Sequence, residues 1–205
     1  KGINSGQDLE PYLSFPDVIV IGPGLGQNAW SEQLVQRTFW EANKRTMPVV
    51  MDADSLNLFP ELNLSCPLPK RLVITPHPGE ASRLLNKTVE EIETDRFRTA
   101  KELQKKFKAT VVLKGSGTLV CFKKGKNQII GVCEAGNPGM ASGGMGDILS
   151  GLIASFIAQG LNIVNASETA VDIHSKAADI TALRLGQMGM LASDVLEDVT
   201  DFLRS

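Results

Sequence analysis

The chain has 205 residues, enough for one domain with a sizeable core, and no apolar run in it approaches the ~20 residues of a membrane span. Its 21 Lys and Arg against 23 Asp and Glu leave a net charge of −2, which gives no reason to expect nucleic acid or an anionic membrane as partner. The three cysteines, Cys66, Cys121 and Cys133, contain no CxxC pair; they suit packing roles in a reducing cytoplasm better than metal ligation.

Residues 1–16 are polar, with Gly and Pro, and predict a surface segment leading into the fold. No secretory signal is visible, and the chain begins at Lys1 without a Met, as a fragment or processed form would. Asp17 to Ile21 is an all-apolar run after its first residue, typical of a strand buried on both faces. A glycine loop, Gly22 to Gly26, follows. Residues 28–45 carry Trp30, Leu34, Val35, Phe39 and Trp40 at helical spacing. Pro48 to Met51 predicts the next strand, ending in Asp52-Ala53-Asp54. Arg71 to Ile74 predicts a third, ending in Thr75-Pro-His-Pro-Gly-Glu80, with helices over 80–86 and about 93–107. A fourth, Thr110 to Leu113, ends in Lys114-Gly-Ser-Gly-Thr118. Leu119 to Phe122 and Gln128 to Val132 form an antiparallel pair around a Lys-Lys-Gly-Lys-Asn turn. Residues 146–160, 166–185 and 191–204 predict three helices, with Asn165 to Glu168 as the start of the second. Strand, loop and helix recur four times. The fold class is therefore α/β, with a mostly parallel central sheet and helices on both faces. The polar and glycine-rich segments fall at the carboxyl ends of strands, where open α/β sheets bind ligands.

The most informative stretch runs from Ala135 to Asp147, where Gly136, Gly139, Gly143, Gly144 and Gly146 precede an apolar helix. With side chains nearly absent, backbone N–H groups at the helix start lie open, and the helix field favours an anion there. Asp147 follows on the first turn as a carboxylate able to accept a proton. A loop that merely packed under a helix would not need an acid at that place.

Other strings are weaker alone. Gly24 to Ala29 matches the dinucleotide fingerprint G-x-G-x-x-G/A, with Asp52 or Asp54 as ribose acid, but its register against the preceding strand is wrong. A glycine loop closing over a substrate fits better. No G-x-x-x-x-G-K-[ST] occurs. Lys114 to Thr118 offers a cation and two hydroxyls to a nucleotide, or forms a tight turn. His77, held rigid between two prolines beside Glu80, reads as a site residue. His174, in mid-helix, reads as a packing or surface residue.

Taken together, these strings resemble one family. Val-Ile-Gly-Pro-Gly-Leu-Gly, Asp-Ala-Asp-Ser-Leu-Asn, Thr-Pro-His-Pro-Gly-Glu, Lys-Gly-Ser-Gly-Thr and Asn-Pro-Gly-Met-Ala-Ser-Gly-Gly-Met-Gly-Asp occur in the order seen in NAD(P)H-hydrate dehydratases of the ribokinase-like superfamily. A late Gly-Met-Leu-Ala-Ser-Asp194 is also similar to theirs, so the resemblance spans about residues 17 to 200. It implies one ribokinase-like domain over 1–205. It further implies a stretch upstream of residue 1 that completes the sheet and helps bind substrate.

The implied activity is metabolite repair. ADP or ATP phosphorylates the C6 hydroxyl of the S epimer of NADH or NADPH hydrate, and phosphate then leaves to restore the nicotinamide ring. By the same resemblance Asp147 is the catalytic base. Lys114, Gly115, Ser116, Gly117, Thr118 and Gly146 bind nucleotide, while Gly24, Gly26, His77 and Asp147 bind the hydrate. The amides of Gly143, Gly144, Met145 and Gly146 form the anion hole. Related kinases place Asn-x-x-Glu where this chain has His77-Pro-Gly-Glu80, which leaves Glu80 to hold Mg2+ through water. The bacterial character of the strings favours ADP as donor. A homo-oligomer, small-molecule partners and an epimerase, fused or separate, complete the expectation. Two other readings remain: a kinase of the same fold acting on a vitamin-precursor alcohol, and a nucleotide-binding module without turnover.

Overall fold

A computed structural model describes residues 6–62 and 64–204. Six strands form one sheet in sequence order: β1 (Ile19–Ile21), β2 (Val49–Met51), β3 (Leu72–Ile74), β4 (Thr110–Leu113), β5 (Thr118–Lys124) and β6 (Asn127–Cys133). β1 to β4 run parallel, and β4, β5 and β6 pair antiparallel. Ile21 pairs with Met51, Met51 with Ile74 and Ile74 with Val111. The carboxyl ends of the parallel strands are thereby level along one sheet edge. β4 departs from the expected repeat, because residues 114–117 turn it directly into β5 without a helix.

The helices are α1 (Gly6–Leu13), α2 (Ala29–Arg45), α3 (Asp54–Leu58), α4 (Pro78–Leu85), α5 (Val89–Thr94), α6 (Arg96–Phe107), α7 (Met145–Ala158), α8 (Ile163–Leu185) and α9 (Ala192–Phe202). β2, β3 and β4 are buried on both faces, whereas β1, expected to be so, leaves Val20 exposed at the sheet edge and β6 is partly exposed along its length. The period of two sorts side chains into two cores. Val49, Met51, Leu72, Ile74, Val111 and Leu113 pack with residues of α2 to α6. Val50, Val73, Val112 and Val120 pack with α7, α8 and α9. Cys121 belongs to the first core, where burial pushes its thiol up to about 11. All three cysteines are free. Among the described residues no helix is long and apolar enough to cross a membrane.

Several boundaries differ from expectation. The leading segment holds the helix α1, whose last residue Leu13 is buried; residues 1–5 lie outside the described residues. The helix expected over about 93–107 is two, because Asp95 leaves helical geometry (φ −144°, ψ 83°) and accepts the Arg98 N–H at 2.8 Å, capping α6. α8 begins at Ile163 rather than near Asn165, since the Asn162 carboxamide accepts the N–H groups of Val164 and Asn165 at 3.1 and 3.0 Å.

Candidate active site

The site begins where β2 ends. Asp52 is 1% exposed, and its carboxylate gathers two side chains from distant parts of the chain and the N–H of the next residue. Oδ1 accepts from Lys114 Nζ at 2.8 Å and from the Ala53 N–H at 2.9 Å, while Oδ2 lies 2.5 Å from Ser150 Oγ on α7. The turn is strained. Ala53 holds φ 48° and ψ −122°, a region unfavourable to any residue with a Cβ. Gly22 at the end of β1 (φ 128°) is required beside it, because a Cβ there would stand 1.7 Å from the Asp52 carbonyl oxygen.

Lys114 leaves β4 and also approaches Glu80 Oε2 at 3.8 Å, so it stands between two buried carboxylates. Glu80 itself closes the start of α4: Oε2 accepts the His77 N–H at 2.8 Å, and His77 Nδ1 accepts the Gly79 N–H at 3.0 Å. Pro78 at the first helical position suits that cap. Burial raises the Glu80 carboxyl above its usual range, against the opposing pull of Lys114. Burial, Lys114 and Arg83 lower His77. With Nδ1 accepting, His77 is neutral at pH 7 and carries its proton on Nε2, so the 3.5 Å approach of Nε2 to Glu80 Oε1 is not an ion pair.

α7 opens on Gly144 (φ 88°), which offers no side-chain cap, so the first-turn amides keep the open donors of a helix start. Gly146 brings that start close to the cation: a Cβ there would lie 3.1 Å from Lys114 Nζ and 3.4 Å from Asp52 Oδ2. A cavity of about 760 Å³ extends from this point. Its lining includes polar groups from His77 and Lys114 to Thr118, the backbone of Gly146, and apolar side chains of Met140, Met145, Leu149 and Val171. The segment between β6 and α7 contributes part of the wall and is fastened to α8. Asp179 accepts the Gly136 N–H and the Asn137 amide, each at 2.9 Å, and Asn137 also donates to the Ala178 carbonyl at 3.0 Å.

The sequence-predicted residues divide accordingly. His77, Lys114, Gly115, Ser116, Gly117, Thr118, Met145 and Gly146 line the cavity, with Glu80 behind Lys114. The Met145 side chain is buried in the second core, which leaves its backbone for a ligand. Gly143, Gly144 and Asp147 are exposed at the start of α7 and are not part of the cavity lining. Gly24 and Gly26 sit in the loop after β1, also outside the lining. Gly26 N–H and Gln27 Nε2 are bound to the two oxygens of Asp54 at 2.8 and 3.0 Å. With Asp54 so engaged and Asp52 buried against Lys114, neither serves a ribose.

Asp52 was weighed in the sequence only as a ribose acid, and Ser150 and His174 were not read as site residues. Asp52 and Ser150 are 98 residues apart and meet only in the fold. His174, expected to pack or face solvent, is 4% exposed and lines the cavity, and its Nε2 has no partner among the described residues. Burial, with a contribution from Lys114, lowers it to about 4, so it is neutral. The i, i+3, i+4 spacing of Val171, His174 and Ser175 puts them on one face of α8; that spacing was the available signal.

Among the described residues no group of three or more His, Cys, Asp or Glu could hold a metal. Asp52 and Glu80 are both engaged by Lys114 and by amides. The donor set therefore suits a cation that keeps its waters and rides on phosphates, as Mg2+ commonly does.

The chain is 46% identical over 193 residues to the bifunctional NAD(P)H-hydrate repair enzyme Nnr of Coxiella burnetii, covering 94% of this chain and 38% of that protein. It thus spans well under half the length of that relative. Among solved structures, the ADP/ATP-dependent NAD(P)H-hydrate dehydratase of Bacillus subtilis, co-crystallized with ATP and Mg2+ and soaked with CoA, superposes with a TM-score of 0.78 at 28% identity, covering 92% of this chain and 66% of that one. A ribokinase-like superfamily protein of Enterococcus faecalis superposes at 0.81 and 29% identity, over 97% and 68%. Residues 3–201 match the NAD(P)H-hydrate dehydratase family over nearly the whole chain, and the chain belongs to it.

Proposed function

We propose that this domain dehydrates the S epimer of NADH or NADPH hydrate at the expense of ADP or ATP. The observation that carries the reading is the convergence of Lys114, held by Asp52 at 2.8 Å, with the uncapped start of α7 at Gly146, both in the lining of the cavity. A cation and a set of open amides at one point suit a phosphoryl group in transfer, which asks mainly for positioning and electrostatic stabilisation.

In this reading Lys114 to Thr118 and Gly146 hold the nucleotide phosphates. Gly143 to Gly146 present the amides that stabilise the transferring group. Gly24, Gly26 and His77 hold the hydrate, with neutral His77 donating from Nε2. The C6 hydroxyl oxygen of the hydrate attacks the terminal phosphorus, Asp147 takes the hydroxyl proton, and AMP or ADP departs. The C6–O bond then breaks, phosphate leaves with the electron pair, and a proton leaves the neighbouring carbon as the ring double bond returns. Phosphate leaves readily where hydroxide does not, which is the reason for coupling to a nucleotide. Mg2+, carried on the nucleotide, would supply charge neutralisation when bound, and Glu80 would hold its waters. The bifunctional relatives support pairing with an epimerase, fused or separate.

The test is incubation with Mg2+, NADH hydrate and either ADP or ATP, followed by absorbance in the reduced-nicotinamide band. Recovery is expected, and more readily with ADP. No recovery with either nucleotide overturns the reading. A phosphorylated product that accumulates without returning NADH would identify a kinase instead.

A further inference from the structure

Arg96, the first residue of α6, lies outside the cavity and reaches toward the loop that lines it. Its guanidinium donates through Nη2 to the carbonyls of Leu113 and Lys114, each at 3.2 Å, and through Nη1 to the carbonyl of Ser116. Asp95 caps the helix start below it, and Glu93 stands 3.9 Å from Nε. The loop is shaped to the fork: a Cβ on Gly115 (φ 142°) would meet Nη2 at 2.8 Å.

In a trans peptide the carbonyl and the following N–H point in opposite directions, and the described residues include no cis peptide. Drawing the Lys114 and Ser116 carbonyls back to Arg96 therefore turns the N–H groups of Gly115 and Gly117 the other way, toward the cavity that both residues line. The intervening Gly115 carbonyl accepts from Thr118 Oγ1 at 3.2 Å. The Lys114 N–H is held by the Pro76 carbonyl at 2.9 Å. The amides of Gly115, Ser116 and Gly117 donate to no group of the described residues.

We propose that Arg96 is a positioning residue for the nucleotide. It clamps two alternate carbonyls so that the amides of Gly115 and Gly117 form, beside Lys114, a receptor for phosphate oxygens. The planar five-donor fork of arginine suits this task, whereas a lysine ammonium concentrates its donors at one point. The proposal rests on the nucleotide reading above but makes a claim of its own about loop geometry.

The experiment titrates Mg2+-ADP and Mg2+-ATP calorimetrically into the parent chain, R96K, R96A, and R96A with added guanidinium at low concentration. Amide exchange at Lys114 and the KM for NADH hydrate are measured alongside. R96A is expected to weaken nucleotide binding about ten- to a hundredfold, the scale of one lost hydrogen bond to a charged ligand. It should speed exchange at Lys114 and leave the hydrate KM unchanged. Added guanidinium should restore part of the affinity, and R96K less than the parent. Unchanged nucleotide affinity in R96A overturns the proposal. So does exchange that quickens uniformly over α6 and β4, the signature of a purely structural residue. A parent that binds neither nucleotide, with Lys114 exchange still quickened in R96A, would sustain the clamp and refute the nucleotide reading.

Discussion

Asp52→Asn would separate charge from shape in the buried network. The carboxamide keeps the size of the carboxylate, its oxygen can still accept the Ala53 N–H, and its nitrogen can donate to Ser150, whose hydroxyl then turns to the Gly146 carbonyl at 2.8 Å. What is lost is the negative charge 2.8 Å from Lys114, leaving the ammonium with Glu80 at 3.8 Å. At 2.8 Å and an effective dielectric of about 20, the gross attraction is about 6 kcal/mol, from which desolvation of both groups subtracts most. Lys114 remains 20% exposed, so the net loss should resemble a hydrogen bond to a charged group more than a fully buried pair: about 2–4 kcal/mol. For a chain of this length that lowers Tm by about 5–15 °C. Urea unfolding of the parent, Asp52→Asn, Lys114→Met and the double variant measures the pair directly, with an expected coupling of about 1.5–3 kcal/mol. A coupling below about 0.5 kcal/mol would show the pair to behave as an exposed one and refute the reasoning.

Four further outcomes are expected. Asp147→Asn should lower turnover about 10²–10⁴-fold while nucleotide affinity and Tm stay near parental, because Asp147 is exposed on the first turn and is not the cap of α7; parental turnover would remove it as the base. His77→Ala should raise the KM for the hydrate about ten- to a hundredfold more than that for the nucleotide, with about 1 kcal/mol of stability lost with the α4 cap; equal effects on both substrates would count against a hydrate contact. His174 is lowered from 6.5 to about 4, so the unfolded chain binds its proton more readily. Its contribution is complete above pH 6.5 and falls away toward pH 4, by about 3 kcal/mol at about 1.4 kcal/mol per pH unit, and pH-dependent unfolding of parent and His174→Gln should diverge in that window. Ala53→Gly should raise stability by about 1 kcal/mol, since relief of about 1–3 kcal/mol of backbone strain exceeds the entropy glycine adds to the unfolded chain; a lower Tm would show the turn to be unstrained.

The strands were legible because a strand buried on both faces must be apolar throughout, as Val49 to Met51 and Thr110 to Leu113 nearly are. The glycine loops were legible for the opposite reason: where backbone meets a ligand, the side chains are missing from the string itself. α1 was not, because Gly6 to Leu13 contains Pro11 and is largely polar; docking of residues such as Leu13 supports it. The α5–α6 break turns on one residue, Asp95, whose capping role is indistinguishable in the string from a solvated helical acid. The buried network was illegible for a reason of distance. Asp52, Lys114 and Ser150 carry no shared spacing, and only the level strand ends and the approach of α7 at Gly146 bring them together. For His174 the sequence left packing and surface open, because which holds depends on which way α8 is rotated about its axis. The register of the core decides that, and the residue itself does not.

The tether between Asn137 and Asp179 has a bearing on how this cavity can change. This part of the wall is held by the carboxylate of Asp179, 42 residues beyond Asn137, which binds a main-chain N–H and an amide and not the loop's other side chains. Met140, Ala141 and Glu134 can therefore be exchanged without releasing the path of the chain on which they are mounted. Asn137 and Asp179 carry the tether, Gly136 and Gly139 are held to glycine by the space around them, and the side chains at the other positions are the ones that can be fitted to whatever occupies the cavity.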